Sequence, residues 1–146
     1  MQYLQGDIIQ EALNDTDMLV IPANAIINGN KLVMGAGFAK RIRDMFEGAD
    51  IIGANLIKAK PMPSIYGFVH QDRIGFLQTK NHFNECSSLL LLQYGLGQLK
   101  DYCIKNPDKR IDMPFPCIGN GGLTIEEVKP VLDMFLKDLN VNVWLL

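Results

Sequence analysis

The run Met-Leu-Val-Ile-Pro-Ala at residues 18–23 constrains this chain more tightly than any other segment. Nearly every position is apolar, so the segment has no polar face to leave in water and reads as a strand covered on both sides. Pro22 brings no N–H to a ladder and is expected near the strand's end. A sheet buried on both faces needs helices above and below it, and the remaining sequence supplies them in alternation with further strands.

Residues 2–8 read as a first strand, with a turn at Gly6–Asp7. After a polar stretch containing glycine, Phe38, Ile42, Met45 and Phe46 share a helical face while Lys40, Arg41, Arg43 and Asp44 face water. A weaker helix covers 51–58 and ends before Pro61 and Pro63. Residues 64–69 and 74–79 read as two strands, close enough in sequence to allow an antiparallel pairing. Leu89, Leu92, Leu96, Leu99 and Cys103 step by three and four along the clearest helix, 88–104. Residues 111–118 give another strand despite Pro114 and Pro116. Thr124 and Glu127 have the spacing of a capping box and open a last helix. Pro130 conflicts with that start, because an interior proline removes a helical hydrogen bond. Residues 141–145 close the chain as a strand. The expected fold is one α/β domain spanning 1–146, a three-layer α/β/α sandwich around a central mixed sheet.

Composition narrows the function. Hydrophobic residues make up 48% and charged residues 21%, an ordinary globular balance. The net charge is −2 with Lys and Arg scattered, which speaks against a strong general grip on nucleic acid. The three cysteines, Cys86, Cys103 and Cys117, form no short-spaced pair and suit a reducing compartment. They make no recognisable metal-ligand pattern with His70 and His82. The first residues lack the basic head and long apolar run of a signal peptide, and 89–92 is far too short to span a bilayer. The expectation is a cytoplasmic protein, monomeric, without a membrane partner.

Two glycine-bearing loops stand where α/β folds place ligands. In the first, Gly35 and Gly37 immediately precede a helix, where glycine lets the backbone approach a phosphate and the helix-start N–H groups face its charge. Close helix packing is the plainer alternative. The spacing is neither the dinucleotide fingerprint nor a nucleoside-triphosphate loop. In the second, Gly119, Gly121 and Gly122 lie between a strand and a helix, and Asn120 either binds a ligand or makes a left-handed turn. Together the loops suggest a diphosphate held from two sides. Asp7 can accept from an adenine amino group or cap the next segment. Asn24 can orient a ribose hydroxyl or secure its own loop. Lys80 can attack a sugar carbon, hold a phosphate or be a solvated loop charge. His82, two residues on, is expected to be structural.

With the segments GDII at 6–9, VMGAGFAKRIRDMF at 33–46, LQTKNHF at 77–83 and MPFPCIGNGGLTIEEVKPVL at 113–132, the chain resembles a macrodomain over almost its whole length. It is most similar to the branch that contains ADP-ribosyl-glutamate hydrolases and DNA-directed macrodomain antitoxins, with compact relatives in phages. The resemblance implies that Asp7 meets adenine, with Ile8 supplying a backbone donor, and that Asn24 faces the distal ribose. It implies that Met34, Gly35, Ala36, Gly37 and Phe38 surround that ribose and its phosphate. Ile118, Gly119, Asn120, Gly121, Gly122 and Leu123 would close over the diphosphate, and Lys80 would be the nucleophile.

This sequence departs from that pattern in three places. Gly121 stands where the glutamate-directed hydrolases carry a catalytic aspartate. Thr124 and Ile125 replace a frequent Asp-Trp pair, and PANAIING replaces the usual NAAN element. The implied function is therefore removal of ADP-ribose from a modified macromolecule, either a DNA base or a protein side chain. The alternatives are a non-catalytic ADP-ribose reader and a phosphatase acting on ADP-ribose phosphate. No cofactor or metal is called for; ADP-ribose would be the ligand or the substrate moiety.

Overall fold

A computed structural model describes residues 1–146. The elements in chain order are β1 (Gln2–Gln5), α1 (Ile8–Ala12), β2 (Met18–Ala23), β3 (Ile27–Asn28), β4 (Lys31–Leu32), α2 (Gly37–Met45) and α3 (Ala49–Lys58). After a short 3-10 turn at Pro63–Ile65 come β5 (Phe68–Gln71), β6 (Ile74–Gln78), α4 (Leu89–Lys105) and β7 (Ile111–Pro114). A second 3-10 turn at Gly119–Gly121 precedes α5 (Ile125–Leu136) and β8 (Val141–Leu145).

The main sheet has six strands in the order β1-β8-β7-β2-β6-β5. Pairing is parallel from β1 through β6, and only the β5–β6 edge is antiparallel. The apolar run at 18–23 is central, and its alternate residues feed the two faces. Met18 and Val20 pack beneath α4 and α5 with Leu92, Leu96, Leu99, Val128 and Leu132. Leu19 and Ile21 pack on the other face with Ile8, Ile42, Ala54, Ile57 and Phe76, contributed mainly by α1, α2 and α3. Leu92, Leu96 and Leu99 are fully buried, each stabilising the fold by about 1.5–3 kcal/mol. The mixed sheet sits between two helical layers, as the strand and helix pattern implies.

Several boundaries differ from the sequence reading. The first strand stops at Gln5, because Gly6 at φ 142° turns the chain and Asp7 caps a short helix. The polar stretch after β2 contains a small hairpin, β3 with β4, pairing Ile27 with Leu32 and Asn28 with Lys31. Strand β7 ends at Pro114, and the segment to Ile118 leaves the sheet as a loop. The capping box holds: the Thr124 side chain accepts from the Glu127 N–H, and the Glu127 carboxylate accepts from the Thr124 N–H. Helix α5 starts there and still runs through Pro130. Pro130 is exposed, so the Glu126 carbonyl it leaves without a donor is free to meet water.

Candidate functional site

Because β1, β8, β7, β2 and β6 are parallel, their C-terminal ends lie along one edge of the sheet. With neighbouring strands ~4.8 Å apart, that edge spans roughly 19 Å. The chain leaving each end brings one candidate group: Asp7 after β1, the 115–123 loop after β7, Asn24 after β2 and Lys80 after β6. A cleft of about 760 Å³ opens over this edge.

One wall is the start of α2. Ala36 is its N-cap in extended backbone and has no side chain able to accept, so no side chain covers the helix's first N–H groups. Those of Gly37, Phe38 and Ala39 make no hydrogen bond within the protein. Gly37 itself sits at φ 57°, a left-handed conformation that a side chain would strain. The opposite wall is the 117–122 loop. It is closed by Leu123 N–H to Cys117 O (3.0 Å) and Gly122 N–H to Gly119 O (3.0 Å), while the N–H groups of Ile118, Gly119 and Asn120 are unpaired. Two sets of free backbone donors thus flank the cleft, one reinforced by a helix dipole.

Lys80 is the one charged side chain lining the cleft. Its Nζ donates to Asn120 O at 3.0 Å and to Phe83 O at 3.3 Å, which ties the end of β6 to the 117–122 loop. No Asp, Glu or His lines the cleft. Burial pushes the Cys117 thiol up to about 11, so at neutral pH it adds no charge. With one ammonium and two arrays of N–H donors, the cleft is built for an anion.

Of the residues singled out in the sequence, 34–38, 118–121, Asn24 and Lys80 line the cleft; Asp7, Ile8, Gly122 and Leu123 do not. Gly122, at φ 78°, closes the loop from behind. Asn24 serves its own loop: Nδ2 donates to Val33 O at 3.0 Å and Oδ1 accepts from Ile26 N–H at 2.9 Å. Asp7 lies beyond the end of the cleft, where Gly6 N–H bonds Leu145 O. Its Oδ1 caps α1 through Ile9 and Gln10, and its Oδ2 accepts from Arg41 at 2.8 Å. That Arg41 bond, aided by the capping bonds, holds the carboxyl below its usual range. The Ile8 N–H makes no bond within the protein. His82 lies outside the lining, its ring against Phe83 and its Nδ1 accepting from Asn84 N–H.

The structure adds residues that the sequence did not mark. Phe83, about half exposed, stands at the cleft beside Lys80. Trp144, the only tryptophan, lines the opposite end, its indole N–H bonded at 2.8 Å to the fully buried Asp112 carboxylate. Arg110 and Asn142 also donate to Asp112, so the buried charge is paired and satisfied. Cys117 and Ser87 form part of the floor. Cys117 holds φ 72°, a left-handed backbone costing a non-glycine residue about 1–2 kcal/mol. Among these, only a lone tryptophan in an alternating terminal strand carried any sequence signal.

The central mixed sheet between helical layers, with a cleft at the ends of its parallel strands, is shared with solved macrodomain structures, and the chain has the macrodomain fold. Among solved structures, the chain is similar to Thermosipho africanus DarTG in complex with ADP-ribose, at 20% identity and TM-score 0.80, covering 100% of this chain and 42% of that one. It is similar to the macrodomain of Mycobacterium tuberculosis DarG at 23% identity and TM-score 0.72, covering 98% of this chain and 95% of that one. The macrodomain of Thermus aquaticus DarG matches at 26% identity and TM-score 0.70, with the same coverage. No protein-family model and no curated protein sequence matches the chain. No three His, Cys, Asp or Glu side chains converge to hold a metal ion, and no helix is long and apolar enough to cross a membrane.

Proposed function

We propose that the cleft binds ADP-ribose and that the protein removes it from a modified macromolecule. The observation that carries this reading is the facing pair of unpaired N–H arrays, at 37–39 and 118–120, with Lys80 as the cleft's single charged side chain. A diphosphate between them receives donors from both sides. The similarity to a DarTG structure that contains ADP-ribose supports the identity of the ligand. In this pose the adenosine points toward Trp144 and the Asp7 end, and the distal ribose lies toward Lys80.

In the reaction, the Lys80 ammonium gives a proton to water, and the free amine bonds to the anomeric carbon as that carbon's bond to the acceptor breaks. The acceptor leaves with the electron pair and takes up a proton. Water then attacks the same carbon, regenerating the amine and releasing ADP-ribose. With no acidic residue in the cleft, proton transfer to the acceptor falls to water or to the Lys80 ammonium formed on attack. That same shortage favours a second reading, in which the protein holds attached ADP-ribose without cleaving it and Lys80 is an electrostatic contact. A calorimetric titration with ADP-ribose, followed in the same samples by release from DNA-linked and glutamate-linked substrates, separates the readings. Binding with release supports the hydrolase, and Lys80→Ala then abolishes turnover with a smaller effect on affinity. Binding without release selects the reader, and no binding near millimolar ligand refutes both.

A further inference from the structure

Ser87 sits at the hinge of the site. Its N–H donates to Gly121 O at 2.7 Å, the next N–H, of Ser88, bonds Thr79 O at 2.8 Å, and Ser88 caps α4. Residue 87 is thereby wedged between the 117–122 loop and the strand end that carries Lys80. It is only 8% exposed, yet it lines the cleft. Its Oγ is the one buried side-chain oxygen or nitrogen in the protein without a hydrogen-bond partner. The Cys117 thiol lies close by and feels the hydroxyl, but does not meet hydrogen-bond geometry with it. Buried hydroxyls are ordinarily satisfied, because leaving one unpaired forfeits its bonds to water. This orphan lies just beneath the cleft surface, covered by Gly121, on which a Cβ would come within 2.5 Å of it.

We propose that Ser87 is a ligand-positioning residue whose hydroxyl pairs with an oxygen of the distal ribose, fixing the anomeric carbon opposite Lys80. This rests on the ADP-ribose reading above. The phosphates already have the backbone donors of 37–39 and 118–120, whereas Ser87 lies between the 117–122 loop and the strand end that carries Lys80, where the distal ribose falls. Of the other uncharged polar side chains lining the cleft, Thr79, Asn120 and Asn24, the last is engaged with its own loop. Pairing requires only that the Ser87 side chain turn, or Gly121 lift, enough to uncover Oγ.

The test is Ser87→Ala, compared with the unaltered chain by thermal melting and by calorimetric titration with ADP-ribose and with ADP. Since the hydroxyl has no partner to lose in the free protein, melting should be unchanged or slightly raised. The affinity for ADP-ribose should fall about five- to tenfold, the worth of one hydrogen bond, while that for ADP, which lacks the distal ribose, should not change. Equal losses for both ligands, no loss for either, or a clearly lowered melting temperature would each overturn the proposal while leaving ADP-ribose binding intact. If the unaltered chain binds ADP but not ADP-ribose, or binds neither, the ligand reading itself fails and the role of Ser87 with it.

Discussion

The most informative perturbation is Gly121→Ala, because the structure prescribes both its damage and its cure. A Cβ built on Gly121 would lie 2.5 Å from Ser87 Oγ and 3.4 Å from Ser87 Cβ. Gly121 does not have a left-handed backbone, so the conflict is with the neighbouring side chain and not with the residue's own φ. Overpacking of this kind costs about 1–3 kcal/mol. An unfolding entropy of ~2.1 cal/mol/K per residue gives the 146-residue chain ~0.3 kcal/mol/K, hence about 3 °C per kcal/mol and a melting drop of roughly 3–10 °C. Adding Ser87→Ala removes the atom at 2.5 Å and leaves the one at 3.4 Å, at the edge of ordinary packing. The double variant should therefore recover at least half of the loss. Calorimetric or fluorescence melting of the four members of this cycle reads the coupling directly. A neutral Gly121→Ala, or a double variant no better than the single, would refute the claim that Ser87 keeps position 121 free of a side chain.

Other perturbations test the rest of the site. Asp112→Ala strips the partner from Trp144 Nε1 and leaves the Arg110 guanidinium without its carboxylate. It should cost about 3–5 kcal/mol and shift the emission of the single tryptophan, measured by denaturant unfolding followed by fluorescence. Asp7→Asn keeps a capping oxygen but removes the ion pair with Arg41. Because the folded-state carboxyl is held below its unfolded value, its contribution is present above the ordinary carboxylate range and lost as pH falls through the lowered value. The variant's melting deficit should therefore be full at about pH 6 and shrink as pH falls below the ordinary carboxylate range; a deficit that does not shrink in acid argues against the ion pair. Burial pushes Cys103 and Cys117 up to about 11, so at pH 8 only ~0.1% of each is thiolate. Iodoacetamide followed by mass spectrometry should label exposed Cys86 first, and rapid labelling of Cys117 would contradict the closed floor.

How much of this could be read in the sequence depended on whether a feature had a period. The central strand was legible because continuous apolarity has one reading when helices flank it. Helix α4 was legible because its leucines repeat at helical spacing, and the start of α5 because a capping box is a local chemical pair. The hairpin of β3 and β4 was not, since two-residue strands are too short to show alternation. Strand β7 was read too long because Phe115, Cys117 and Ile118 are apolar for the sake of the cleft and core, not of a ladder. The two glycine loops stood out through backbone chemistry that glycine alone advertises. Ser87 did not, because a serine in a polar loop carries no pattern and its burial is created by residues more than thirty positions away. Asp7 and Asn24 showed the same limit: the sequence offered a ligand role and a local one for each, and the structure engages Asn24 with its own loop and Asp7 with both its own helix and the distant Arg41.

The cleft draws its parts from the ends of separate strands: Lys80 after β6, Asn24 after β2, the 117–121 stretch after β7 and Trp144 in β8. No single hairpin or helix carries enough of them to hold a ligand, so partial opening of the sheet should abolish occupancy. Ligand affinity and global folding are then one linked equilibrium. Occupancy at a hundredfold excess over Kd should add about 2.7 kcal/mol to the unfolding free energy. It should also slow hydrogen exchange at the amides that open only when the whole sheet unfolds, including those at the start of β2, which do not line the cleft.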